Sequence, residues 1–172
     1  DEGLANEDTV FNWGDVGGGY ARSRADAENL VLKYAKEKGL PAVAMCVANT
    51  YGARDVQMTP HGAMVALAAK GKNPLYIRGI STEVVGIEDA AQALILAEEN
   101  GRNGERYIIS ERFSDMRDIY RMAAEATGAK QPKLTIPLWL MYGLGALGDI
   151  ARWVTRKDLV LCMHSVKLMH IM

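Results

Sequence analysis

The 172-residue sequence predicts an α/β fold, and two observations carry that expectation. Short apolar runs bounded by turn residues alternate with stretches whose apolar positions recur at the helical period, the pattern of helices packed on a largely parallel sheet. Residues 41–48, Pro-Ala-Val-Ala-Met-Cys-Val-Ala, form one unbroken apolar run, the composition of a strand buried on both faces. Residues 20–52 therefore read as a helix-to-strand unit that docks on a sheet whose other strands are mostly absent from the sequence. The shorter, mixed elements from residue 53 onward do not continue a clean parallel repeat and suit a smaller lobe.

Each element has its own local justification. Residues 1–18 are polar and turn-rich, run into Gly17-Gly18-Gly19, and predict a loop. A helix follows from about Tyr20 to Lys38, with Ala27, Leu30, Val31, Tyr34 and Ala35 as its apolar row and Gly39 in the stop position. Residues 49–62 read as a loop holding Arg54, Asp55, Thr59, Pro60 and His61. A short helix over 63–70, a strand at 75–78 and an extended piece at 84–87 come next. The last of these feeds a helix over 88–100, where Asp89 suits the positive end of the helix dipole. A strand at 106–110 and a helix at 115–127, stopped by Gly128, complete the alternation. Residues 165–172 alternate like a further strand.

Composition narrows the function classes. With 20 basic and 21 acidic residues and a formal net charge of −1, the chain has no basic stripe of the kind that tracks nucleic acid. Cys46 and Cys162 are two isolated cysteines, too few for a disulfide framework, which makes a reducing, cytoplasmic setting the default. His61, His164 and His170 lack metal-ligand spacing and read as structural, with His61 the one candidate for a pocket wall. The first eight residues are acidic and polar, unlike a signal peptide. No initiator Met is present, and both ends are read as cut.

Two segments invite misreading. Gly143-Leu-Gly145-Ala-Leu-Gly148 is a literal Gly-x-Gly-x-x-Gly, but Pro137 weakens a strand before it and no acidic residue follows about twenty residues on. It reads as a helix beginning near Pro137, where proline is tolerated, with glycines that permit close packing. Residues 134–148 carry no charge. They are too short to span a membrane, which leaves a buried helix, an apolar pocket wall lined by Trp139, Met141, Tyr142, Leu144 and Leu147, or contact with a membrane surface.

The chemistry concentrates in Tyr20-Ala-Arg-Ser-Arg24-Ala-Asp-Ala-Glu28. Tyr20 and Arg24 are four apart and so share one helical face, and a cation held beside a phenol favours its ionised form. On spacing alone, a Tyr capping an apolar face beside a solvated Arg remains open. The stretch resembles the Tyr-x-x-Ser-Lys-x-x-x-Glu catalytic helix of the extended short-chain dehydrogenase/reductase family, the NAD-dependent epimerase/dehydratase group. Tyr20, Ser23 and Glu28 match that pattern, whereas Arg24 stands on the Lys. Four further segments resemble the family in the same order. Residues 39–52 look like its strand and Arg-Pro-x-x-x-Tyr-Gly turn, with Cys46 and Val47 replacing Arg-Pro. Residues 85–93 look like Val-x-Val-x-Asp-Val-Ala-x-Ala, with Asp89 in place and Ile87 and Ala90 departing. Residues 104–110 resemble the Gly-x-x-Tyr-x-Ile strand of the substrate domain, and the helix ending at Thr127-Gly128 resembles its next element.

The resemblance implies a partial Rossmann-like, doubly wound parallel unit in residues 1–52, with its first half absent. It implies a mainly substrate-binding lobe in 53–172, with 84–100 packing back on the first part. Tyr20 is then the acid/base and Arg24 its cationic partner. NAD or NADP is the implied cofactor, met by Tyr20, Arg24, Val47, Ala48, Asn49 and Thr50. Gly18, Gly19, Asn49, Arg54 and His61 are substrate-facing candidates, and Gly17–Gly19 give the substrate close approach to the backbone. The expected partners are a small-molecule substrate and, as an open alternative, a second copy of the chain. The family's Ser or Thr and its Gly-rich phosphate loop lie upstream of the Tyr, so this chain is expected not to catalyse alone. Three functions stay open: an oxidoreductase, epimerase or dehydratase acting on a sugar nucleotide or a hydrophobic alcohol or ketone; a cofactor-binding regulatory or scaffold relative whose Arg24 marks lost activity; and an unrelated α/β binding module.

Overall fold

The computed structural model describes residues 5–12, 17–156 and 161–171. Along the chain the elements are α1 (Gly18–Lys38), β1 (Ala44–Val47), β2 (Asn49–Tyr51), α2 (Pro60–Ala69), β3 (Leu75–Arg78), β4 (Ser81–Gly86), α3 (Ile87–Asn100), β5 (Arg106–Ile109), β6 (Arg112–Asp115), α4 (Met116–Ala126), β7 (Leu134–Pro137), α5 (Leu138–Thr155) and α6 (Met163–Ile171). They divide into two compact units, Asp1–Gly52 with Val84–Arg112, and Ala53–Glu83 with Phe113–Met172.

In the first unit β1 and β5 pair in parallel from Ala44↔Arg106 to Val47↔Ile109, and α1 packs on β1. β2 pairs in parallel with β4, Asn49 opposite Val84 and Tyr51 opposite Gly86. α3 packs on β2, and a Cβ on Gly52 would collide with the Ile87 side chain at the start of α3. That makes Gly52 a close-packing requirement. Val84, Val85 and Ala90 are buried here. In the second unit β3 and β7 pair in parallel from Leu75↔Leu134 to Arg78↔Pro137. α2 and α4 pack together, and α5 packs on both β7 and α6, with Ile119, Tyr120, Ala124, Met141 and Val166 buried.

Several expectations are corrected. Parallel pairing does continue beyond residue 53, in β2–β4 and β3–β7. β1 is half-buried rather than buried on both faces, with Val47 exposed. Of the α1 row chosen from the sequence only Ala35 is buried: Ala27, Leu30, Val31 and Tyr34 are exposed, and Leu32, outside that row, is buried. The inward row is Ala21, Ala25, Glu28, Leu32 and Ala35, also at helical spacing. A glutamate in its middle disguised it, and that glutamate is tied to Arg106 of β5 at 3.0 Å.

Residues 49–51 are a strand rather than loop, because pairing with β4 supplies what three residues of modest propensity do not. β6 and β7 had no signal longer than four residues. Residues 163–171 are a helix where alternation predicted a strand; residue 172 lies outside the described residues. The first turn of α6 is satisfied by side chains, with Asp149 Oδ2 accepting from Met163 N at 3.2 Å and Ser165 Oγ accepting from Cys162 N at 3.0 Å. The glycine motif sits inside α5. A Cβ on Gly145 would press on Val166 and Met163, and one on Gly148 would strike the Leu161 carbonyl, so these glycines let α6 approach.

Candidate active site

Tyr20 lies in the first turns of α1, 56% exposed. The Arg24 guanidinium carbon stands 5.4 Å from its ring centroid, within range of a cation–π contact. The fold thus brings together the two residues that spacing had paired. Ser23 Oγ donates to the Tyr20 carbonyl at 2.8 Å, which keeps that hydroxyl on the backbone of its own turn. Gly18 and Gly19 belong to the helix rather than to the loop before it. Gly18 has φ +61°, and a Cβ on Gly19 would meet nothing within 4 Å. The backbone ahead of Tyr20 is therefore open to close approach.

The opposite side of α1 holds a different set of charges. Glu28 reaches Arg106 of β5, and Glu7 Oε1 accepts from Ile108 N at 3.0 Å, a bond that lowers the Glu7 carboxyl below its usual range. Arg22, Asp26, Glu28, Lys36 and Arg106 line a groove of about 610 Å³ with residues 7–11. Arg22 is two residues from Tyr20 and points some 200° away around the helix, so this groove is not where the phenol points. Cys46 lies beside the same charges. Burial first, and the Glu28 carboxylate second, push its thiol up, which makes it a poor nucleophile.

Val47 ends β1, Ala48 links it to β2, and Asn49 and Thr50 open β2. The carboxyl end of a parallel strand is where open α/β sheets receive ligands. Val47 and Thr50 are exposed, Ala48 and Asn49 half-buried. Tyr51 is held inside, and burial pushes its phenol up.

Arg54 and His61 lie in the second unit. Arg54 has φ +70° and Met58 φ +50°, left-handed conformations that non-glycine residues adopt rarely and at a cost of about 1 kcal/mol or more. The loop is braced by Asp55, whose carboxylate accepts from Thr59 N at 3.1 Å and from Thr59 Oγ1 at 2.9 Å. Thr59 Oγ1 in turn accepts from Gly62 N at 3.1 Å and caps α2, with Pro60 in its first turn. The Thr-Pro pair was a readable capping signal; the Glu28–Arg106 link, across 78 residues, had none. Of the apolar set expected on α5, Trp139, Leu144 and Leu147 are exposed, Tyr142 is half-buried and Met141 is buried. Among the described residues no cluster of His, Cys, Asp or Glu could hold a metal, and no helix is long and apolar enough to cross a membrane.

The family model for the NAD dependent epimerase/dehydratase family matches residues 6–110. The chain is 27% identical over 171 residues to sterol demethylase protein B of Methylococcus capsulatus, covering 98% of this chain and 52% of that protein. It superposes on the crystal structure of gox2253 with a TM-score of 0.78 at 27% identity, over 97% of this chain and 50% of that one. On a nucleoside-diphosphate-sugar epimerase from Pseudomonas aeruginosa the TM-score is 0.71 at 22% identity, over 97% and 59%. The chain thus spans about half the length of these relatives, and its α/β architecture is part of their Rossmann-type fold. On the match over residues 6–110, the chain belongs to the NAD-dependent epimerase/dehydratase family.

Proposed function

We propose that this chain carries the acid/base residue of an NAD(P)-dependent oxidoreductase that acts on a hydrophobic alcohol or ketone. The observation that carries the reading is the Tyr20–Arg24 contact, an exposed phenol with a fixed cation 5.4 Å from its ring. The first unit is then the cofactor-binding half and the second the substrate lobe. Family membership supports the nicotinamide cofactor, and the sterol in the name of the relative matched along nearly the whole chain supports a hydrophobic substrate.

The residues present fit the nicotinamide end of such a cofactor, because exposed hydrogen-bonding and cationic groups stand on α1 and after β1. Arg24 would hold the ribose hydroxyls with its several donors, and the backbone of Val47, Ala48, Asn49 and Thr50 would meet the carboxamide. The cofactor supplies the hydride acceptor or donor. The Tyr20 phenolate takes the proton from the substrate oxygen in the oxidation direction and its hydroxyl gives one in the reduction direction, with Arg24 the nearby cation beside the phenolate form. Gly18 and Gly19 leave room for substrate against the backbone. Asn49 and Thr50 are polar contacts for it.

The same contact favours a second reading. A guanidinium stacked on a phenol is a planar fork rather than an ammonium, and a relative built this way could bind cofactor without turning over, as a regulatory or scaffold protein. Titrating the full-length protein with NADH and NADPH by nicotinamide fluorescence, then assaying a panel of hydroxysteroids, other apolar alcohols and ketones, and sugar nucleotides, separates the readings. Binding with turnover of an apolar substrate supports the first, and binding without turnover across the panel supports the second. Absence of dinucleotide binding contradicts both.

A further inference from the structure

The helix that carries Tyr20 and Arg24 is seated on its sheet by few side chains. The inward row of α1, Ala21, Ala25, Glu28, Leu32 and Ala35, holds three alanines, one leucine and one polar residue. Apolar burial is non-directional, so such a row holds the helix against the sheet without setting its slide or rotation. Glu28 supplies the direction. Its Oε1, closed off from solvent, meets Arg106 Nε at 3.0 Å, with the two side chains only 26% and 28% exposed. Arg106 opens β5 opposite Ala44 of β1. The same carboxylate bears on the Cys46 thiol of β1, where it adds to the upward push of burial. One side chain of α1 thus meets both strands of the β1–β5 pair. Every other polar side chain on the helix is exposed.

We propose that Glu28, through Arg106, is a positioning residue for the acid/base site, fixing the slide and rotation of α1 and hence where Tyr20 and Arg24 stand relative to the β1–β5 pair. This rests on the oxidoreductase reading of Tyr20. A partly buried ion pair adds little net stability over apolar packing, and setting register is its best-attested use. Glu28 lies eight residues from Tyr20, about 12 Å along a rigid helix, so a shift at the pair is carried to the phenol. A misplacement of about 1 Å at reacting groups can cost about 10²-fold in rate. Tyr20 and Arg24 ride on the same helix, so loss of the tie displaces them together and leaves their mutual contact intact.

The test compares variants of the full-length protein by NADH and NADPH fluorescence titration, turnover on the substrate panel and the urea midpoint. Glu28→Met combined with Arg106→Met replaces the pair by apolar side chains and should keep the midpoint close to the parent's. It should lower kcat about tenfold or more and weaken dinucleotide binding about fivefold through Arg24. Glu28→Asp keeps the charge but withdraws the carboxylate by one methylene, and should lower kcat about fivefold with the fold intact. The pH profile of kcat/KM should not move in either variant, whereas Arg24→Met should move it. Glu105→Gln, which removes an exposed carboxylate from the same groove, is the control and should match the parent. A folded Met pair or Glu28→Asp variant that turns over at the parent rate overturns the proposal. So does a shifted pH profile, because Glu28 would then act on Tyr20 by its charge. In a parent that binds dinucleotide without turnover, affinity is the readout, and an unchanged value for the Met pair overturns the proposal. A parent that binds neither NADH nor NADPH contradicts the oxidoreductase reading itself, and the positioning role with it.

Discussion

α1 and α5 each bury one row of side chains and leave another in the open, and the two open rows differ in what they can do. On α1 that row runs Tyr20, Arg24, Ala27, Val31, Tyr34 and holds a phenol under a guanidinium. On α5 it runs from Trp139 to Val154 without a charge, Asp149 and Arg152 lying instead on the side of the buried Met141 and Gly145. Periodicity finds both rows and cannot tell them apart. The distinction comes from which polar groups interrupt the apolar pattern.

The buried rows differ as well, and mutations should show it. On α5 the inner face depends on missing side chains, so Gly148→Val forces a side chain against the Leu161 carbonyl. It should lower stability by about 2–3 kcal/mol, read as a fall in the urea midpoint. On α1 the inner face depends on a present one. Glu28→Ala leaves Arg106 without its carboxylate at a partly buried site and should cost about 1–2 kcal/mol. Outward substitutions such as Val31→Ser or Leu147→Ser should stay within about 0.5 kcal/mol. Equal costs on inner and outer positions of either helix would contradict the assignment of faces.

The two thiols report on the same contrast with a smaller effect. Cys46 lies by Glu28, its thiol raised by burial and by that carboxylate, whereas Cys162 lies by α5, its thiol lowered by bonds to Ser165. Because the thiolate is the reactive form, alkylation of Cys162 should set in at lower pH and outpace Cys46 near neutrality. Ser165→Ala should move the Cys162 onset to higher pH. Mass spectrometry of the labelled peptides measures both rates.

How much was legible follows from where each signal resides. The helices at 20–38 and 88–100 and the strand at 75–78 were readable because local period and stop residues agree there, as at Gly39 with φ +69°. β2, β6 and β7 were not, because three- and four-residue strands take their conformation from partners distant in sequence. α6 was misread because side-chain caps from Asp149 and Ser165, and the glycine gaps on α5, override its alternation. The Tyr20–Arg24 pair was legible because four-residue spacing on a helix is a geometric fact. Its neighbours on the inner face, Glu28 with Arg106 and Cys46, were not, since they meet only when β1 pairs with β5. The braced loop at Arg54 and Met58 was half legible, through Thr59-Pro60 but not through its backbone strain.

Arg24 tests the pairing from one side. Arg24→Lys should keep turnover within about tenfold if only a cation is needed, whereas Arg24→Met should lose it. Tyr20 tests it from the other. In the full-length protein Tyr20→Phe removes one oxygen from an exposed ring and should leave the fold and the dinucleotide affinity unchanged. It should lower kcat by about 10²–10⁴. Turnover that survives Tyr20→Phe at the parent rate would show that the phenol on α1 is not the acid/base.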